Sequence, residues 1–87
     1  MFEIEVTLNN ESGLHARPAS LLVAAASKFS SNIFIIKDEK EINAKSILGV
    51  LSIGAGKGTT LKIRVQGEDE VEAVEALKEL VDNNFGE

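Results

Sequence analysis

The residues with the clearest capacity for chemistry lie in one stretch, residues 12–20, which reads SGLHARPAS and holds the chain's single histidine and single proline. Proline is tolerated in the first turn of a helix, so Pro18 predicts a helix that begins close to His15. The first backbone N–H groups of that helix, from Ala16 and Arg17, lack partners within the helix and form a site for an anion. The Arg17 guanidinium adds donors that match phosphate oxygens. An imidazole nucleophile at such a site suits a covalently carried phosphoryl group.

Simpler interpretations of His15 stay open at this point. A lone histidine near a helix start is commonly a cap or a surface residue, and the spacing alone does not separate that role from phosphoryl chemistry. A serine-hydrolase arrangement fits poorly: Ser12 and Ser20 are near, but Glu11 is the one close carboxylate that could orient the ring.

Two other stretches resemble known sites less well. The glycine run GAGKGTT at 54–60 departs from the phosphate-loop pattern, because Leu51 stands where the first glycine belongs and a strand follows instead of a helix. We interpret it as a flexible connection. The acidic run at 68–80 lies at a helix start, where negative charge is favourable, and we interpret it as a solvated face. With no cysteine and one histidine, no metal site and no cofactor are predicted.

Composition restricts the class of protein. The chain has 87 residues, 44% hydrophobic and 26% charged, which predicts one folded domain over residues 1–87. The net charge of −5 argues against direct binding of nucleic acid or of an anionic membrane. No apolar run approaches the ~20 residues of a membrane span, and the first residues do not resemble a secretory signal. Together with the absence of cysteine, these features predict a cytoplasmic protein.

Hydrophobic periodicity predicts the elements that must position His15. Alternating or β-rich runs predict strands at residues 2–8, 33–36, 41–44 and 60–65. Helical spacing predicts helices at 16–29, at 47–53 after a Ser46 N-cap, and from Asp69 to Asn83 or Asn84. In the last helix, Asp69 and Glu72 resemble a capping box, and its apolar stripe is Val71, Val74, Leu77 and Val81. The order β-α-β-β-α-β-α predicts an α+β fold with helices on one face of an antiparallel sheet.

Two separated motifs carry a family resemblance. GLHARPAS (13–20) resembles the active-centre signature of the HPr family, the histidine-containing phosphocarriers of the bacterial phosphotransferase system. KSILGVLSIGAGKG (45–58) is similar to that family's regulatory serine segment. The resemblance extends over essentially the whole chain. It implies an open-faced β-sandwich with a four-stranded antiparallel sheet in the order 1-4-2-3 and three helices on one face.

The resemblance also implies roles for individual residues. His15 would accept a phosphoryl group on Nδ1 from the phosphoenolpyruvate-driven enzyme I and pass it to sugar-specific IIA domains, while Arg17 would stabilise that group. Ser46 would be phosphorylated by an HPr kinase/phosphorylase and act on a catabolite-control transcription regulator. We expect partners to dock on a surface around His15, formed by Ser12, Ser20, Ile47, Leu48 and Leu51.

Two alternatives follow from the same resemblance. The chain could serve a nitrogen-type phosphorelay, although the Ser46 segment favours the sugar and carbon-control branch. It could instead be a regulatory module that acts through phosphorylated Ser46, although the presence of His15 argues against that as its whole role. We expect a carrier and not an enzyme, because partners would supply the chemistry. We also expect a monomer, because one face must serve many partners.

Overall fold

The computed structural model describes residues 1–86, so Glu87, the last residue of the predicted domain, lies outside the described residues. The elements follow the predicted order: β1 Phe2–Thr7, α1 Ala16–Ala26, β2 Asn32–Lys37, β3 Lys40–Asn43, α2 Ile47–Ser52, β4 Thr60–Gln66 and α3 Glu70–Asp82, with a final turn at Asn84–Gly86. No helix within residues 1–86 combines the length and the apolar character needed to cross a membrane.

The four strands form one antiparallel sheet in the order β1-β4-β2-β3. On β4, Ile63 lies opposite both Ile4 of β1 and Ile35 of β2, so the three side chains share one face of the sheet. The helices cover that face: α3 packs on β1 and β4, α2 packs on β3, and α1 contacts both α2 and α3. The predicted open-faced α+β sandwich is therefore confirmed.

Alternation along β4 shows why this chain makes a half-buried sheet. Leu61, Ile63 and Val65 are buried against the helices. Lys62 and Arg64 lie on the open face, where Arg64 pairs with the carboxylates of Glu3 and Glu41. The facing helices contribute their own buried side chains, among them Leu22, Val50 and Leu77.

The last helix differs from its predicted pattern in one residue of the stripe. The buried positions of α3 are Ala73, Leu77 and Val81, which recur every four residues on one face. Val71 lies two residues before Ala73, hence on the opposite side of the helix, and its side chain is 47% exposed. Predicting Val71 in the core was wrong. The first helix also ends at Ala26, three residues before the predicted Phe29.

The predicted capping box at the start of α3 is also wrong. Asp69 occupies the N-cap position but makes no side-chain bond to its own helix. Its carboxylate accepts hydrogen bonds from the N–H of Ser30 at 2.8 Å, from the N–H of Ser31 at 3.0 Å and from the Ser31 hydroxyl. Those donors lower the pKa of Asp69 to about 2, the Ser31 hydroxyl having the largest effect. Glu70 reaches back instead, accepting from the N–H of Gly67 at 3.1 Å.

Candidate functional site

His15 lies at the N-cap of α1, as the position of Pro18 predicts. Its backbone is extended, with φ −88° and ψ −170°, and its carbonyl accepts the first helical hydrogen bond from the N–H of Ala19 at 2.8 Å. The imidazole makes no capping hydrogen bond and is exposed to solvent. Since the side chain does not cap the helix, it does not occupy the N–H groups of the first turn, which belong to Ala16 and Arg17. Arg17 is also exposed, in the same turn.

The glycine run at 54–58 is part of this site and not simply a connection between elements. The N–H of Leu14 donates to the carbonyl of Ala55 at 2.9 Å, immediately before His15. Gly13 has a φ of +58°, and a Cβ on it would lie 2.5 Å from that same carbonyl oxygen. The residue type at position 13 is therefore set by how closely the two loops approach.

Further contacts join the two loops, residues 8–15 before α1 and residues 53–59 before β4. The N–H of Leu8 donates to the carbonyl of Thr59 at 2.9 Å, and the carbonyl of Leu8 accepts from the N–H of Gly58 at 2.6 Å. Lys57 forms an ion pair with Glu11 at 2.8 Å, on the solvent side. Both side chains of that pair are more than half exposed, so it contributes less than the backbone contacts to holding the loop.

Ser46 caps α2, as the sequence predicts. Its side-chain oxygen accepts a hydrogen bond from the N–H of Gly49 at 3.2 Å, and the residue is exposed. Its position therefore allows both roles considered for it, because a hydroxyl that caps a helix can remain accessible from solvent.

The apolar residues after Ser46 are exposed to different degrees. Leu48 is 78% exposed, whereas Ile47 and Leu51 are 38% and 37% exposed. The helix that carries them packs against α1, the helix that begins at His15. Ser12 and Ser20 are exposed before and within α1. We call the five residues that the sequence predicts to receive partners the docking surface: Ser12, Ser20, Ile47, Leu48 and Leu51.

The charge around the site has a sign opposite to the net charge of the chain. Segments 12–30 and 44–58, which contain α1, α2 and the glycine run, have no aspartate or glutamate. Their charged side chains are those of Arg17, Lys28, Lys45 and Lys57. By contrast, five carboxylates lie on α3 alone. A net charge of −5 thus conceals a basic region along α1 and α2. Within it, Lys57 is paired with Glu11, and Lys45 donates to the carbonyl of Phe29, beyond the end of α1 that is far from His15.

One buried polar residue beside the site was not predicted from the sequence. Asn10 is 2% exposed, and its side-chain amide donates to the carbonyl of Gly13 at 2.9 Å. Its place in the turn cluster at 9–13 gave no sign of burial, because asparagine is common in exposed turns. No group of three histidine, cysteine, aspartate or glutamate side chains within residues 1–86 is arranged to hold a metal ion.

The fold and the exposed histidine at a helix start agree with a class of small carrier proteins. Comparison with known proteins identifies the family. The family model PTS-HPr, described as "PTS HPr component phosphorylation site", matches residues 2–83. The phosphocarrier protein HPr of Xylella fastidiosa (strain Temecula1) is 47% identical over 87 residues, covering 100% of this chain and 98% of that one.

Two solved structures agree with the family match. A structure of HPr-C-His from Thermoanaerobacter tengcongensis superimposes with a TM-score of 0.98 at 49% identity, covering 100% of this chain and 98% of that one. A structure of Crh, named as a catabolite repression protein of Bacillus subtilis and described as a dimer with a swapped domain, has a TM-score of 0.77 at 43% identity and covers 97% of each chain. The chain belongs to the HPr family of phosphocarriers of the phosphotransferase system.

Proposed function

We propose that His15 is the phosphoryl acceptor of this phosphocarrier, through Nδ1. The observation that carries the proposal is the position of the imidazole, exposed at the N-terminus of α1 and not engaged in capping. The first-turn N–H groups of Ala16 and Arg17 are then available to phosphate oxygens. The Arg17 guanidinium, exposed in the same turn, adds charge-assisted hydrogen bonds.

The reaction is a pair of phosphoryl transfers, first onto His15 and then from it to the next acceptor. His15 Nδ1 attacks the phosphorus of the phosphoryl group on enzyme I, so a P–N bond forms here as the bond that holds the group on enzyme I breaks. A sugar-specific IIA domain then takes the group by the reverse reaction. An exposed P–N bond, stabilised by helix N–H groups and one arginine, remains accessible to the next acceptor. Neither step needs a base, metal or cofactor from this chain, which acts as a cytoplasmic carrier and not as an enzyme.

Labelling from phosphoenolpyruvate tests this assignment. With radiolabelled phosphoenolpyruvate and enzyme I, the wild-type chain should gain a label that is labile in acid and stable in base. His15→Ala should gain none, and Arg17→Ala should gain it at least tenfold more slowly, because a charge-assisted contact is lost. Ser27→Ala, an exposed change at the C-terminal end of α1 and outside the docking surface, is the matched control. Normal labelling of His15→Ala would overturn the proposal.

We propose that Ser46 is the regulatory phosphorylation site, used by an HPr kinase/phosphorylase in carbon catabolite control. The Ser46 hydroxyl is exposed beside the docking surface, next to Ile47 and near Leu48. A phosphoryl group there adds about −1.5 to −2 charge. That charge would lie within the basic region and weaken attraction to a partner that is acidic around its own site.

A charge series tests the Ser46 proposal. Ser46→Asp should slow phosphorylation by enzyme I, chiefly by raising KM, whereas Ser46→Ala should leave it near the wild-type rate. Ser27→Asp is the matched control, because Ser27 is exposed at the C-terminal end of α1, away from His15. Equal rates for Ser46→Asp and wild type would contradict the docking argument. Acid-stable label from ATP on Ser46, lost in Ser46→Ala, would show the modification directly.

A second function, regulation through a transcription regulator that binds the Ser46-phosphorylated form, is supported by the similarity to Crh. We propose it as an addition to the carrier role. We also propose that the carrier is a single-domain monomer, although the Crh structure is described as a swapped dimer. Sedimentation at the concentrations used for labelling decides this: a mass of one chain is expected, and a dimer would overturn the proposal.

A further inference from the structure

The peptide unit between Gly13 and Leu14, immediately before His15, is bonded at both ends. Its carbonyl oxygen accepts a hydrogen bond from the Asn10 side-chain amide at 2.9 Å. Its N–H, on Leu14, donates to the carbonyl of Ala55 at 2.9 Å. A peptide held at both its polar atoms cannot rotate about its flanking bonds without breaking one of them.

The Asn10 side chain lies in the protein interior. Asn10 is 2% exposed, and it and Ser31 are the two buried polar residues within residues 1–86. Burying an amide is unfavourable unless hydrogen bonds compensate it, so the bond to Gly13 helps to stabilise Asn10 there. The N–H of Gly13 returns a hydrogen bond to the Asn10 carbonyl at 3.2 Å, which closes the turn around the same residue.

The backbone on the other side of His15 is fixed as well. The carbonyl of His15 accepts from Ala19 in the first turn of α1. On the near side, Leu14, the residue immediately before His15, is anchored in the core by its side chain, which is 2% exposed. With both flanking segments held, the orientation of the exposed imidazole depends mainly on its own side-chain torsions.

We propose that Asn10 is a positioning residue for His15, acting through the Gly13–Leu14 peptide without contacting the phosphoryl group. This role rests on the proposed function of His15. In-line transfer between two proteins needs the acceptor nitrogen within a narrow range of positions, and small displacements are costly. Without the Asn10 donor, the peptide can rotate, and a smaller fraction of docked complexes has the imidazole in the productive orientation.

The expected kinetic signature separates positioning from docking. Asn10→Ala leaves the exposed side chains of the docking surface in place, so KM for this chain as the substrate of enzyme I should stay within about twofold. The kcat should fall by about five- to tenfold, the factor that the loss of one neutral hydrogen bond typically produces. Asn10→Ser keeps a smaller hydrogen-bond donor in the site, so its kcat should lie between those of Asn10→Ala and wild type.

Ser31→Ala is the matched control for stability. It also removes a hydrogen bond from a buried polar side chain, but its partner is Asp69, before α3, and not the His15 loop. All chains are assayed at a temperature where circular dichroism shows them folded, and Asn10→Ser replaces Asn10→Ala if the alanine variant does not fold. Amide hydrogen exchange at Leu14 should accelerate in the Asn10 variant and stay at the wild-type rate in Ser31→Ala.

The outcomes keep the two proposals apart. If wild type takes no label on His15, the proposed function fails, and this role fails with it. If wild type is labelled but the Asn10 variant has the kcat and Leu14 exchange of Ser31→Ala, the positioning role alone is overturned. A fall in kcat with unchanged KM and faster Leu14 exchange, all absent in Ser31→Ala, supports it.

Discussion

Gly13→Ala should destabilise the fold more than the same change at other glycines of the site. The backbone of Gly13 has a φ of +58°, a conformation that costs a residue with a Cβ about 1–2 kcal/mol. The new methyl would also lie 2.5 Å from the carbonyl oxygen of Ala55 and 2.7 Å from two backbone atoms of Gly56. Because these neighbours are backbone atoms, relief requires the two loops to move apart.

The two effects can be separated with a series of three variants. Gly54 has a φ of +66° but no atom within 4 Å of an added Cβ, so Gly54→Ala should cost about 1–2 kcal/mol. Gly56 has neither a positive φ nor a neighbour within 4 Å, so Gly56→Ala should be neutral or stabilise by up to about 1 kcal/mol. Gly13→Ala adds overpacking to the conformational cost, for a total of about 2–5 kcal/mol.

Urea unfolding measures the series. Far-ultraviolet circular dichroism is the appropriate signal, because the chain has no tryptophan and no tyrosine. With an m value of about 1 kcal/mol per molar urea, Gly13→Ala should lower the midpoint by about 2 M or more. If Gly13→Ala and Gly54→Ala unfolded at the same midpoint, the close approach between the loops would contribute nothing and the account of the site would be wrong.

Two further predictions concern the helix starts. Because the folded pKa of Asp69 lies near 2, below its ordinary 3.8, its contribution to stability is present above about pH 4 and is lost as the pH falls toward 2. The difference in Tm between wild type and Asp69→Asn should therefore narrow as the pH is lowered from 5 to 2. A constant difference in Tm would contradict the stabilising role of the Asp69 carboxylate. Ser46→Ala removes the α2 cap and should cost about 1 kcal/mol in urea unfolding, whereas Ser20→Ala, with no capping role, should cost less than half of that. Equal losses would show that the Ser46 cap is energetically unimportant.

Most of the fold could be predicted from local pattern. Alternation in β1 and β4 identifies their buried faces, and Pro18 and Ser46 mark the starts of α1 and α2. Val71 was misassigned because apolar character does not distinguish a residue at the exposed edge of a first turn from one in the buried stripe. The capping box failed because Asp69 finds stronger partners at Ser30 and Ser31, almost forty residues earlier, and no local pattern contains that contact.

The candidate site was predictable only in the parts that are local. His15, Arg17 and Ser46 are recognisable because proline and serine signals place them at helix starts. The role of Ala55 and the burial of Asn10 depend on β1 and β4 being neighbours in the sheet. Pairing of Val6 with Leu61 and of Thr7 with Thr60 leads the chain into the loop contacts at Leu8. Tertiary contacts of this kind follow from strand order, which the sequence supplies only through resemblance.

The N-cap residues of α1 and α2 differ in whether their side chains bond the first N–H groups of the helix. Ser46 uses its side chain to satisfy an N–H group of α2, which stabilises a helix of six residues that would otherwise be marginal. His15 leaves the corresponding groups of α1 without a side-chain cap, a loss of about 1 kcal/mol relative to a serine or aspartate there. The longer α1 can tolerate that loss because Pro18, Ala19, Leu22 and Ala26 are buried along it. An N-cap side chain that makes no hydrogen bond costs stability in the free protein. If His15 accepts a phosphoryl group as proposed, that group would supply oxygens for the first-turn N–H groups and would recover part of the stability lost at α1.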